Sequence, residues 1–116
     1  MNAMRRPLRQ IDYLEHLLEA VRLARRYSSG LTKSEFVEDK KTQQAVILNL
    51  LVIGEVATQI ASGHPDFAEQ HPEVPWKQMR GMRNRMTHGY FEINLDIVWD
   101  TVRQSLPALE HQIIQI

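Results

Sequence analysis

The chain has 116 residues, 43% hydrophobic and 24% charged, with 14 basic and 14 acidic side chains that balance to a net charge of zero. This is an ordinary globular composition at the length of one domain, residues 1–116, able to bury around two-thirds of the surface its unfolded chain would expose. The absence of cysteine excludes a disulfide framework and thiolate chemistry and fits a reducing cytoplasm, while neutrality means that any positive field must be local.

At the amino end, Met1 to Arg6 is expected to fray and Pro7 suits a first helical turn. No apolar segment follows these arginines, so no leader sequence is expected. Ile11, Leu14, Leu17, Leu18, Val21 and Ala24 repeat at helical spacing and predict a helix to about Tyr27, closed by Ser28-Ser29-Gly30. His16 has no second ligand at metal spacing and reads as a surface residue. Thr32-Lys33-Ser34-Glu35 is a capping box that opens a second helical region anchored by Phe36 and Val37. Asp39 or Thr42 then marks a bend or a fresh start.

From Ala45 to Val56 the chain is apolar almost all round, through Val46, Ile47, Leu48, Leu50, Leu51, Val52 and Ile53. Such a helix must be covered on more than one side. Either a second subunit covers it or one chain encloses it; the small size of the domain favours the subunit interface. The apolar run falls short of about 18 residues and carries Asn49, so no membrane span is expected. Gly54 costs a helix about 1 kcal/mol relative to alanine, and the expected return is close approach of a neighbouring helix. Glu55 needs a cationic partner on a crowded helix, with Arg80, Arg83 and Arg85 as candidates; its alternative is simple exposure.

Ser62-Gly63-His64-Pro65 ends this helix, and a loop is expected through Pro72 and Pro75. His64 and His71 lie there near Asp66, Glu69 and Glu73, but at no recognised ligand spacing, so neither metal nor cofactor is expected. Pro75-Trp76 opens the most informative segment. It carries Lys77, Arg80, Arg83, Arg85 and His88, with no acid between Glu73 and Glu92. On a helical wheel Met79, Met82 and Met86 fall on one side, while Arg83, Thr87, Arg80, Asn84 and His88 fan across roughly 140° of another. Gly89 is placed for a left-handed helix end. Asn94 then caps a last helix through Ile97, Val98, Val102, Leu106 and Leu109, which Pro107 kinks or restarts. Ile113, Ile114 and Ile116 are expected to dock. Four main helices with short connections predict an all-α, antiparallel four-helix-type bundle without a sheet.

Arginine forks match phosphate oxygens, and histidine exchanges protons near neutrality. That combination suits phosphodiester cleavage by general acid–base catalysis, with a ribose 2′-hydroxyl as nucleophile and no metal required. The bland alternative is a solvated basic face whose cations favour the carbonyl end of the helix dipole. Arg83-x-x-x-x-His88-x-Tyr90, with Asn84 after the arginine, resembles the signature of the HEPN superfamily. The wider text from Pro75-Trp76 to Trp99, with Ile53-Gly54-Glu55 upstream, is similar to its HepT-like branch, over roughly residues 11–109.

The resemblance implies a HEPN-like bundle and a metal-independent endoribonuclease toxin that acts on RNA, while the apolar central helix, which asks for a partner, leads to the expectation of a twofold homodimer. The resemblance also implies a cognate minimal nucleotidyltransferase as antitoxin. It implies Arg83 and His88 as the catalytic pair, Asn84 as an orienting residue, and Tyr90 as the acceptor of AMP from the antitoxin. Arg80, Arg85 and Lys77 would hold RNA phosphates, and Glu55 would support an arginine from behind. The rival reading is a non-catalytic nucleotide-binding or protein-interaction module beside a nucleotidyltransferase, in which His88 only caps a helix.

Overall fold

The computed structural model describes residues 8–116, and of Tyr90 only the backbone; the expectations for Met1 to Pro7 lie outside the described residues. The apolar spacing of the first segment becomes α1, Gln10–Ser28, with Leu17, Ala20, Val21 and Ala24 buried. Gly30 follows at φ +81, the left-handed residue that the turn requires. His16 is exposed. The capping box forms as written. The Thr32 N–H donates to Glu35 Oε1 at 2.9 Å and the Glu35 N–H donates to Thr32 Oγ1 at 3.1 Å, opening α2, Lys33–Glu38. Asp39 is a fresh start, because its carboxylate accepts from the Thr42 N–H at 3.0 Å and caps α3, Lys40–Gly63. The Thr42 hydroxyl, donating to the same carboxylate at 2.6 Å, and then that N–H hold the Asp39 carboxyl below its usual range.

α3 is the centre of the fold. α1 packs along one side of it and α5, Trp76–His88, along another. Val46, Ile47, Leu50, Ile53, Val56, Ala57 and Ile60 are buried between them, so one chain covers most of this helix by itself. Leu48 is left 61% exposed. At 24 residues α3 is longer than the expected apolar run, because both polar ends join the helix. By length and composition it could cross a membrane, but half of its apolar window is buried inside the protein, as a core helix would be. Asn49 is buried and returns its amide to Ala45 O at 2.9 Å.

The segment after α3 is not all loop. Pro65 at the first position and Asp66 in the first turn start a short helix α4, Pro65–Gln70, whose Phe67 is buried against the rings of His71 and Trp76. The helix-end geometry at Gly89 also differs from expectation: φ is −131, not left-handed. Its N–H closes on Arg85 O at 3.0 Å and a 3-10 turn, Tyr90–Glu92, follows directly.

Asn94 caps α6, Leu95–Asp100, by accepting from the N–H groups of Asp96 and Ile97. Pro107 leaves a distinct mark. It has no N–H and its ring would crowd the carbonyl four residues back, so the helix widens into a π turn, Thr101–Ser105, before α7, Leu106–Ile114. Ile113 docks, but Ile114 and Ile116, expected to dock with it, are 54% and 38% exposed. Among the described residues there is no strand. α1, α3, α5 and the α6–α7 rod make the four-helix, all-α bundle.

Candidate active site

α5 is seated by Trp76, Met79 and Met86, all buried, and the Trp76 indole N–H fixes its start by donating to His71 O at 3.1 Å. The helix comes very close to α3 at Gly54. A β-carbon there would lie 2.2 Å from Arg83 Cβ and 2.8 Å from the Met79 carbonyl oxygen. No side chain fits in that gap, so Gly54 is what allows the backbone at Arg83 to press against α3.

That approach sets the position of Arg83. Its side chain is 29% exposed, and Nη1 lies 3.4 Å from Glu55 Oε2. The other Glu55 oxygen accepts from Gln59 Nε2 at 3.1 Å, so the carboxylate is oriented from one turn away along α3. Of the three arginines expected as partners for Glu55, Arg83 is the one that meets it. Glu55 is 51% exposed, and an ion pair so open to solvent contributes at most about 1 kcal/mol; its effect is orientation. Arg83 Nε is buried, and among the described residues it has no hydrogen-bond partner. An orphan donor of this kind costs about 1–3 kcal/mol, and such costs concentrate at functional positions.

Outside this contact, Lys77, Arg80, Asn84 and His88 are all exposed. They share an arc of roughly 80° along α5, with no acid on the helix. Thr87, expected on the same face, turns its hydroxyl back to Asn84 O at 3.2 Å. Arg85 is not on this strip. It lies on the opposite flank and lines a pocket of about 270 Å³ with Met82, Met86, Gly89, Ile93 and Ile97, between α5 and α6. His88 is the last residue of α5, and among the described residues no hydrogen bond or ion pair holds its ring. Arg83 and His88 sit about 140° apart around the helix and roughly 7.5 Å apart along it. Tyr90 begins the turn directly after Gly89; its side chain lies outside the described residues. Gln59 went unread in the sequence, although its spacing of four from Glu55 was the available signal.

The remaining histidines take local roles. His64 Nε2 lies 3.2 Å from Leu8 O, and His71 Nδ1 lies 3.4 Å from Glu73 Oε2. Among the described residues no group of three or more histidines and acids is arranged to hold a metal. What the α5 strip offers chemically is fixed cations for a phosphate and an exposed imidazole for proton transfer.

Residues 17–116 match the family model described as "Ribonuclease HepT-like". A protein of Thermococcus cleftensis named "Probable ribonuclease HepT" is 39% identical over 99 residues, covering 85% of this chain and 87% of the relative. A protein of Caldanaerobacter subterraneus named "Putative RNase" is 35% identical over 104 residues, covering 90% of each. One of the same description in Methanocaldococcus jannaschii is 40% identical over 95 residues, 82% of this chain and 76% of the relative. No solved structure matches the chain significantly.

Proposed function

The chain belongs to the HepT-like ribonuclease family, and from that premise we propose that it is a metal-independent RNA endonuclease, the toxin of a toxin–antitoxin pair. The observation that carries this reading is the division of α5 into two parts: Arg83 locked against Gly54 and Glu55, and an acid-free exposed strip ending in His88. Arg83 and Arg80 hold the scissile phosphate, and Asn84 orients it. His88 takes the proton of the ribose 2′-hydroxyl as that oxygen bonds to phosphorus. The bond from phosphorus to the 5′-oxygen breaks, and the departing oxygen takes a proton from water. The fixed guanidinium stabilises the charge that grows on the phosphoryl oxygens.

A single α5 turns Arg83 and His88 away from each other, and a homodimer answers that. Leu48, Val52, Glu55 and Gln59 lie along one stripe of α3, where Leu48 is exposed and Val52 only partly covered. A second copy seated on that stripe ends beside Arg83, and two α5 strips then border one cleft wide enough for a strand of RNA. The antitoxin is a minimal nucleotidyltransferase that adds AMP to Tyr90. A bulky anion two residues past the helix end would repel RNA phosphates from His88.

The test is cleavage of a short RNA by the purified protein with and without EDTA. Persistence in chelator, products ending in 2′,3′-cyclic phosphate or 3′-phosphate, and no cleavage of a 2′-deoxy substrate are expected. Loss of activity in EDTA, or equal cleavage of the deoxy strand, would point to other chemistry.

A further inference from the structure

A cavity of about 430 Å³ lies away from the α5 strip. It opens between the end of α1 and the α6–α7 rod and brings Arg22, Arg25 and Arg26 together with Arg103. Among the described residues, the only acid on its wall is Glu110. Four guanidinium groups against one carboxylate leave the cavity strongly positive in a chain whose total charge is zero.

Three of the four arginines are already fixed. Glu110 receives Arg25 Nη1 at 2.6 Å and Arg22 Nε at 3.1 Å. The Arg25 hydrogen bond, followed by that of Arg22, holds the Glu110 carboxyl below its ordinary range. Arg103 donates Nη2 to Ser28 O at 2.9 Å and to Leu31 O at 2.7 Å, and its guanidinium stacks 4.2 Å from the centre of the Trp99 ring. It belongs to the π turn, a distortion that often re-aims side chains at functional sites. Each fixed group has further N–H donors beyond those used, so its remaining donors are ordered at no extra entropic cost. Arg26 lines the same cavity; its carbonyl accepts from the Ser29 N–H at 3.1 Å, and among the described residues no hydrogen bond or ion pair holds its guanidinium.

Structural roles alone account for part of this cluster. Arg22 and Arg25 join α1 to α7 through Glu110, and Arg103 satisfies carbonyls just past α1. Neither role needs Arg26, and neither explains a cavity of this volume walled by four guanidinium groups and one carboxylate. We propose that this cleft is a phosphate-binding site, separate from the α5 strip, in which Arg26 and the spare donors of Arg22, Arg25 and Arg103 hold the phosphate oxygens. Planar forks on several sides suit a phosphate better than a single carboxylate. The phosphate is supplied either by the backbone of a nucleic acid strand or by a free phosphorylated small molecule.

The experiment is a titration of the full chain, followed by amide NMR, with pyrophosphate and separately with a short 2′-deoxy oligonucleotide. Saturable shifts at Arg26, Ser29 and Arg103 on adding pyrophosphate are expected, with affinity reduced about tenfold in Arg26→Ala, the loss of one charge-assisted contact. Glu110→Gln removes the competing carboxylate and should tighten binding. Oligonucleotide shifts at the same amides identify a strand as the source; oligonucleotide shifts confined to α5 identify a free phosphate compound. The absence of saturable pyrophosphate shifts at these residues at millimolar concentration would overturn the proposal. So would unchanged affinity in Arg26→Ala, a variant of an exposed side chain that leaves the fold intact.

Discussion

Gly54 has no side chain, and α5 fills the space: Arg83 Cβ sits where a Gly54 β-carbon would be, 2.2 Å away. Gly54→Ala is therefore expected to cost about 1–3 kcal/mol by overpacking and to shift Arg83 off the position Glu55 gives it. Thermal melting and RNA cleavage should fall together. A variant that melts normally and cleaves normally would show that α5 can slide without consequence. Arg83 and His88 separate in a different way. His88→Ala removes proton transfer, worth about 100- to 10,000-fold in rate, and should leave RNA affinity nearly intact. Arg83→Ala should damage both, while Arg83→Lys recovers part, since a point charge replaces a planar fork. Purified His88→Ala that cleaves RNA at the wild-type rate would sink the enzyme reading.

Among the elements, α1 and α7 are held together by Glu110, and the sign of its pH dependence follows from the Arg25 and Arg22 hydrogen bonds. These hold the folded-state carboxyl below the ordinary glutamate value of 4.5. A depressed value means the contribution is fully present above the ordinary value and is lost as pH falls through the folded one. The melting temperature should drop on acidification below about pH 4.5, and Glu110→Gln should flatten that part of the profile. An identical acid profile in the variant would remove Glu110 from the account. α2 gives a control for the site, because its capping box lies in a different helix. Thr32→Ala should cost about 1 kcal/mol of stability and leave cleavage of RNA by the folded fraction unchanged.

As a whole the molecule is a slab, 42 × 34 × 20 Å, with a radius of gyration of 14.6 Å, against about 13.4 Å for a compact domain of this length. A slab one or two helices deep leaves part of its central helix uncovered, and here Leu48 is the residue left out. The proposed dimer predicts twice the chain mass by light scattering at micromolar concentration, and Leu48→Glu should return a folded monomer with reduced cleavage. A monomeric wild-type mass would remove the composite cleft.

Helix by helix, the fold was legible because each element carries its own local signal. The capping box at Thr32 and Glu35, the Asn94 cap, the Gly30 stop and the apolar spacing of α1 and α3 depend only on residues a few positions apart. So does the cationic face of α5, where a wheel groups Arg83 with Arg80, Thr87, Asn84 and His88; only packing against Gly54 and Glu55 sets Arg83 apart from the others. Gly54 and Glu55 announced a close neighbour by a cost without visible return, but their partner waited for packing, since Arg83 lies 28 positions further along. The π turn, the short α4 and the backbone at Gly89 were hidden because they settle small conflicts between neighbours that propensity does not record. The arginine cleft was hidden for a larger reason. Arg22, Arg25 and Arg26 read as the solvated end of one helix, and Arg103 reads as an isolated cation some 80 residues later. Charge adds through space, so only the packing of α1 against the last helix makes four separate cations into one field.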